Sequence, residues 1–110
     1  MKVTTQMMMA LILCLAAMAS WAEPVWIDVR SAQEYAQGHK QGALLMPHGE
    51  IEAAIAAADL AKDDTIYLYC RSGRRAGVAL QKLEALGYTQ VENLGGLQDA
   101  LRKAGECEKC

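Results

Sequence analysis

The chain has 110 residues and a formal net charge of −2 from 11 basic and 13 acidic side chains, with 53% hydrophobic residues. That is enough for one small domain with a single core, and too little for two. The charge balance gives no electrostatic case for nucleic acid or an anionic membrane as partner.

The first segment reads as an address rather than as structure. Met1-Lys2 is a positive start, Met7 to Met18 an apolar run, and Ser20-Trp21-Ala22 ends in the small residue that signal peptidase accepts. The run falls short of the ~20 residues of a spanning helix, so residues 1–22 are expected to be a cleaved secretory signal. Leu13 before Cys14 argues against a lipoprotein site. Loss of 22 of the 110 residues leaves 88, Glu23 to Cys110, with net charge −3 once Lys2 is gone. This places residues 23–106 in one domain, residues 107–110 in a C-terminal tail, and the mature protein in the periplasm without a membrane anchor.

Val25 to Val29 is a short apolar run and predicts the first buried strand. Ser31-Ala32-Gln33-Glu34 has the Ser-x-x-Glu form of a capping box, so a short helix starts directly after it, and Gly38 ends that helix. Gly42 to Met46 predicts a second short strand, closed by Pro47. Glu50 to Leu60 is alanine-rich with Ile51, Ile55 and Leu60 on one side, a helix by propensity and pattern. Asp63-Asp64 turns the chain into Thr65 to Tyr69, a β-branched and aromatic strand. Arg74 to Leu86 predicts a helix carrying Ala76, Leu80, Leu83 and Leu86, stopped by Gly87. Gln90 to Glu92 reads as a minimal strand, Asn93-Leu94-Gly95-Gly96 as a loop, and Leu97 to Ala104 as the last helix. Strands alternating with helices predict an α/β domain, a parallel sheet of four to five strands with helices on both faces. In such sheets the ligand site lies beyond the carboxyl ends of the strands.

Cys70 falls at such an end, where a strand meets a helix start. Backbone N–H groups there lack helical partners, the helix dipole adds partial positive charge, and Arg71, Arg74 and Arg75 add full charges. These groups favour thiolate over thiol, and the thiolate is the nucleophile. A buried apolar cysteine is the commoner fate of a free thiol, but an arginine cluster does not suit it.

Tyr69-Cys70-Arg71-Ser72-Gly73-Arg74-Arg75-Ala76 resembles the active-site loop of the rhodanese (sulfurtransferase) family. Trp26-Ile27-Asp28-Val29-Arg30 with Glu34-Tyr35, Gly38-His39, Gly42-Ala43 and Pro47 is similar to the family's first signature, and Asn93-Leu94-Gly95-Gly96-Leu97 to its closing segment. The blocks stand in family order and resemble most the short, exported single-domain members. The resemblance implies a small three-layer fold and a thiosulfate sulfurtransferase in which Cys70 carries the sulfur as a persulfide. Thiosulfate is the implied donor and cyanide or a small thiol the acceptor, with no metal or organic cofactor and a monomeric state. Arg71, Ser72, Gly73, Arg74 and Arg75 are the implied substrate-binding loop, with the arginine that touches substrate left open. Asp28 and Arg30 become supports, the arginine pairing with acids such as Glu34. The six-residue loop from Cys70 to Arg75 matches this family. A phosphatase loop would put its arginine at position 76, which is Ala76. The family's frequent tryptophan after the Gly-Gly pair is replaced here by Gln98-Asp99-Ala100-Leu101.

His39 and His48 read as loop histidines satisfied by backbone rather than as general bases. Cys107 and Cys110 form a C-x-x-C pair in a chain bound for an oxidising compartment. Two readings stay open for it: a terminal disulfide closing a loop too small to stabilise much, or a redox pair that accepts sulfur from Cys70 or restores its thiol. Metal binding would need two further ligands. Two rivals to the enzyme also remain, a non-catalytic persulfide carrier and a thiol redox protein built on the terminal pair.

Overall fold

The computed structural model describes residues 23–107; the expected signal segment and Cys110 lie outside the described residues. Strand β1, Val25–Asp28, forms the sheet with β2, Leu44–Leu45, β3, Thr65–Cys70, and β4, Gln90–Gly96, in the order β2-β1-β3-β4 with every pairing parallel. Parallel neighbours need crossovers, which here are helical. Helix α1 spans Ala32–Gln37, α2 Ile51–Ala58 after a 3-10 turn at His48–Glu50, α3 Arg74–Ala85, and α4 Leu97–Ala104.

Period-two alternation along the strands divides the core into two layers. Ile27, Val29, Ile66, Leu68 and Cys70 pack with Ile51 and Ile55 of α2 and with Ala76, Ala79 and Leu83 of α3. On the opposite face Tyr69 packs with Ala43 and Ala100, flanked by Trp26, Leu94 and Leu97. This is the three-layer α/β architecture that the alternation of elements predicts. Cys70 lies on the α3 side, beneath the start of that helix.

The Ser31 capping box is present. Ser31 Oγ accepts the N–H of Glu34, while the Glu34 carboxylate accepts the N–H of Ser31. Three expectations need correction. The second strand shrinks to Leu44–Leu45, because this edge meets β1 only at Ile27 and Asp28. On α3 the buried positions are Ala76, Ala79 and Leu83, while Leu86 is 41% exposed. Strand β4 runs through Asn93-Leu94-Gly95-Gly96, which read as a loop. Its pairing shifts register between Leu68 and Cys70 and resumes at Cys70 opposite Gly96.

That resumed pairing requires glycine. A Cβ on Gly96 would run into the carbonyl oxygen of Arg71, and one on Gly95, at φ +97°, would lie 2.7 Å from Asp99 Oδ2. Gly96→Ala is expected to cost about 1–3 kcal/mol in urea unfolding as Arg71 is forced aside. Gly49→Ala, where a Cβ meets nothing within 4 Å, should stay within about 0.5 kcal/mol. Equal midpoints for the two variants would disprove the close approach.

Candidate active site

The turn from β3 into α3 wraps one sulfur in amides. Gly73, the N-cap of α3 at φ +96°, adopts the left-handed conformation that lets the loop close. Its N–H donates to Cys70 Sγ at 2.9 Å. Cys70 is a free cysteine and only 1% exposed. Burial pushes its thiol upward, but the backbone N–H groups of Ala76, Ser72, Gly73 and Arg75 outweigh burial and hold it below the ordinary cysteine value. The sulfur therefore lies against apolar side chains on its core side and among hydrogen-bond donors on its loop side.

The loop is held from β4. Asn93 Nδ2 donates to the Gly73 carbonyl at 2.8 Å, while Asn93 Oδ1 accepts the N–H of Gly95 at 2.9 Å. Asp99 in the first turn of α4 accepts the N–H of Gly96 at 2.8 Å. Sequence reasoning noticed this segment through its resemblance but assigned these side chains no task. A polar residue beside a Gly-Gly pair was the available signal.

The three loop arginines differ. Arg71 and Arg74 are exposed. Arg75 is half-buried and binds Glu34 through two hydrogen bonds of 2.7 and 2.9 Å. That pair, helped by the Ser31 N–H, lowers the Glu34 carboxyl to about 2. The implied Arg30–Glu34 pairing is thus corrected. Glu34 joins α1 to α3 through Arg75, and Arg30 pairs with Asp28 at 2.7 Å. The carboxylate of Asp28 accepts from Arg30 N and Nε, and Arg30 Nη2 also donates to the Gly38 carbonyl at 2.6 Å. Asp28 and Arg30 are both buried.

Arg30, Glu34, Gln37, Arg71, Gln98 and Asp99 line a cleft of about 430 Å³ beside the loop. His39 stands outside this lining. Its Nδ1 lies 2.8 Å from the Tyr35 carbonyl, with the ring stacked on Tyr35 at 3.6 Å. Cys107 is disulfide-bonded and 3.6 Å from Gln98 Oε1. Among the described residues no cluster of three or more His, Cys, Asp or Glu could hold a metal ion, and no helix is long and apolar enough to cross a membrane.

Comparison with known proteins agrees with this geometry. The family model for the rhodanese-like domain matches residues 13–102. The thiosulfate sulfurtransferase PspE of Escherichia coli is 49% identical over 74 residues, covering 67% of this chain and 71% of that protein. A putative sulfur carrier protein of Bacillus subtilis, YrkF, is 36% identical over 74 residues, which are 66% of this chain and 39% of the relative's length. A solved structure of an E. coli rhodanese with anions superposes with a TM-score of 0.67 at 47% identity, covering 70% of this chain and 91% of the other. The amide-ringed cysteine at a strand end, the parallel sheet and the family match together place the chain in the rhodanese-like family.

Proposed function

We propose that the chain is an exported thiosulfate sulfurtransferase with Cys70 as its nucleophile. The observation carrying this reading is the ring of backbone N–H groups that favours the ionised sulfur at the mouth of α3. In the first half-reaction the Cys70 thiolate attacks the outer sulfur of thiosulfate. The S–S bond of thiosulfate breaks, sulfite leaves with its electron pair, and a persulfide remains on Cys70. In the second, cyanide or a thiolate attacks the outer persulfide sulfur, and Cys70 returns as thiolate. Negative charge stays near the ring throughout, so dipoles already in place can act on both steps without reorganising.

The near-complete burial of Cys70 favours a slender donor such as thiosulfate, whose terminal sulfur can enter the loop. Ser72 and Gly73 contribute amides, while Arg71 and Arg74 are the exposed cations that attract the dianion. Arg75 contributes its amide, its guanidinium being held by Glu34. Asp28 and Arg30 support the cleft wall. The PspE relative's activity supports the choice of thiosulfate. Cleavage after Ala22, a domain at residues 23–106, a periplasmic location and a monomeric state complete the reading.

A carrier that loads sulfur without turnover is the second reading, favoured by the likeness to a putative sulfur carrier. Intact-mass measurement after incubation with thiosulfate tests the first half-reaction. One added sulfur is expected on wild type and none on Cys70→Ser. Loading that no cyanide or thiol discharges would decide for the carrier, and absence of loading would sink both.

A further inference from the structure

Helix α3 starts without a side-chain cap, because its N-cap residue is Gly73. A serine or aspartate there would take the first free N–H groups of the helix; with glycine they are left to Cys70 Sγ. The same glycine is the least constrained residue of the loop. At φ +96° it has no Cβ to confine it to one well, so the aim of its N–H depends on what fixes the peptide planes on either side. On one side the N–H meets the sulfur. On the other, the Gly73 carbonyl accepts two donors, the N–H of Gly77 at 2.9 Å from within the helix and Asn93 Nδ2 at 2.8 Å from β4.

An irregularity in the sheet delivers Asn93 to this point. The step from Leu68 to Cys70 on β3 faces a longer step from Asn93 to Gly96 on β4, so the pairing breaks just beyond Asn93. The half-buried carboxamide then spans two left-handed glycines, donating to the Gly73 carbonyl and accepting the N–H of Gly95. A Cβ on Gly73 would lie 3.3 Å from Gly95 Cα, so the two turns meet at this bridge. A carbonyl only accepts and an amide N–H only donates, so the bridge needs a side chain with one donor and one acceptor. Resting on the sulfurtransferase reading, we propose that Asn93 is a positioning residue for sulfur transfer: by pinning the Gly73 carbonyl to β4 it holds the Gly73 N–H on Cys70 Sγ. It acts through the backbone of Gly73 rather than on the transferred atom. Without the bridge the glycine can rotate and its N–H leaves the sulfur. The resting thiolate, and the thiolate that returns in the second half-reaction, then lose a fixed dipole. The charged groups around the loop, Arg71, Arg74, Asp99 and Arg75 with Glu34, keep their charges, so attraction of the donor should persist.

Single-turnover loading of the full chain by thiosulfate, followed by intact mass across pH, tests the bridge in Asn93→Ala and Asn93→Thr. Neither variant brings a new charge to the sulfur, and threonine suits a strand but is too short to span both glycines. Both are expected to load ~10-fold more slowly at neutral pH, with the half-saturating thiosulfate concentration near the wild-type value. The Cys70 thiolate midpoint, from ultraviolet absorbance read against the same variant carrying Cys70→Ser, should rise by about one unit, and loading should recover as pH passes the raised midpoint. Val91→Ala is the control, since Val91 packs against the core opposite Ile66, at the other end of β4 from the loop. It should lower the urea midpoint yet leave the loading rate and the thiolate midpoint unchanged. If Asn93→Ala is too unstable to assay, the threonine variant decides alone. A wild-type loading rate and thiolate midpoint in a folded Asn93 variant would overturn the proposal and leave the sulfurtransferase reading standing. A wild type that takes up no sulfur would remove both.

Discussion

Cys70→Ser is expected to take up no sulfur and to lose thiosulfate:cyanide turnover by roughly ten-thousandfold or more, the scale seen when a covalent nucleophile is removed. Serine matches cysteine in shape, so the Gly73 N–H keeps an acceptor and the strand-to-helix turn keeps its closure. What disappears is the ionised sulfur. A hydroxyl in the same ring stays protonated at neutral pH and cannot form the S–S bond that stores the transferred atom. Steady-state assay beside urea unfolding separates the two effects. The variant should unfold within about 1 kcal/mol of wild type while its rate falls to background. Retained turnover would show that another group carries the sulfur.

Arg30→Met is expected to destabilise the domain by about 3–5 kcal/mol, because it leaves the Asp28 carboxylate buried with its guanidinium partner gone. Asp28 is fully buried, and Arg30 supplies its side-chain donors through Nε and Nη2 as well as a backbone N–H. The same guanidinium fastens the end of α1 through the Gly38 carbonyl and faces the Tyr69 ring at 5.6 Å. Asp28→Leu combined with Arg30→Met removes both charges, and is expected to recover much of the loss, since the penalty lies in an unpaired buried charge rather than in a missing attraction. Urea midpoints of the single and double variants check this. A single variant within 1 kcal/mol of wild type would contradict the pairing.

Where the fold was legible in the sequence, the deciding signals were local. The Ser31–Glu34 box, the β-branched run from Thr65, the helix beginning at Arg74 and the helix over Leu97–Ala104 each depend on residues within one or two turns of each other, and each stands where it was expected. The features that were not legible are those settled by distant neighbours. Gly95-Gly96 punctuates the chain like a loop, and becomes strand only because Cys70 offers a pairing edge 26 positions earlier. Glu34 lies four residues from Arg30, which invites a local pair. Arg75, 41 residues away, takes it instead, because the starts of α1 and α3 meet in space. The candidate nucleophile was legible because its chemistry follows from position. A cysteine between a strand and a helix meets unpaired amides wherever such a turn closes.

Direct titration of Cys70 is the most telling measurement. Ultraviolet thiolate absorbance, read as wild type minus Cys70→Ser across pH, isolates this one sulfur. The ring of amides predicts a midpoint below the value of about 8.5 for an unperturbed cysteine, with sulfur loading falling as pH drops through that midpoint and the thiolate is lost. A midpoint at or above the unperturbed value would mean that burial prevails over the amides, and that Cys70 is a core residue rather than a nucleophile.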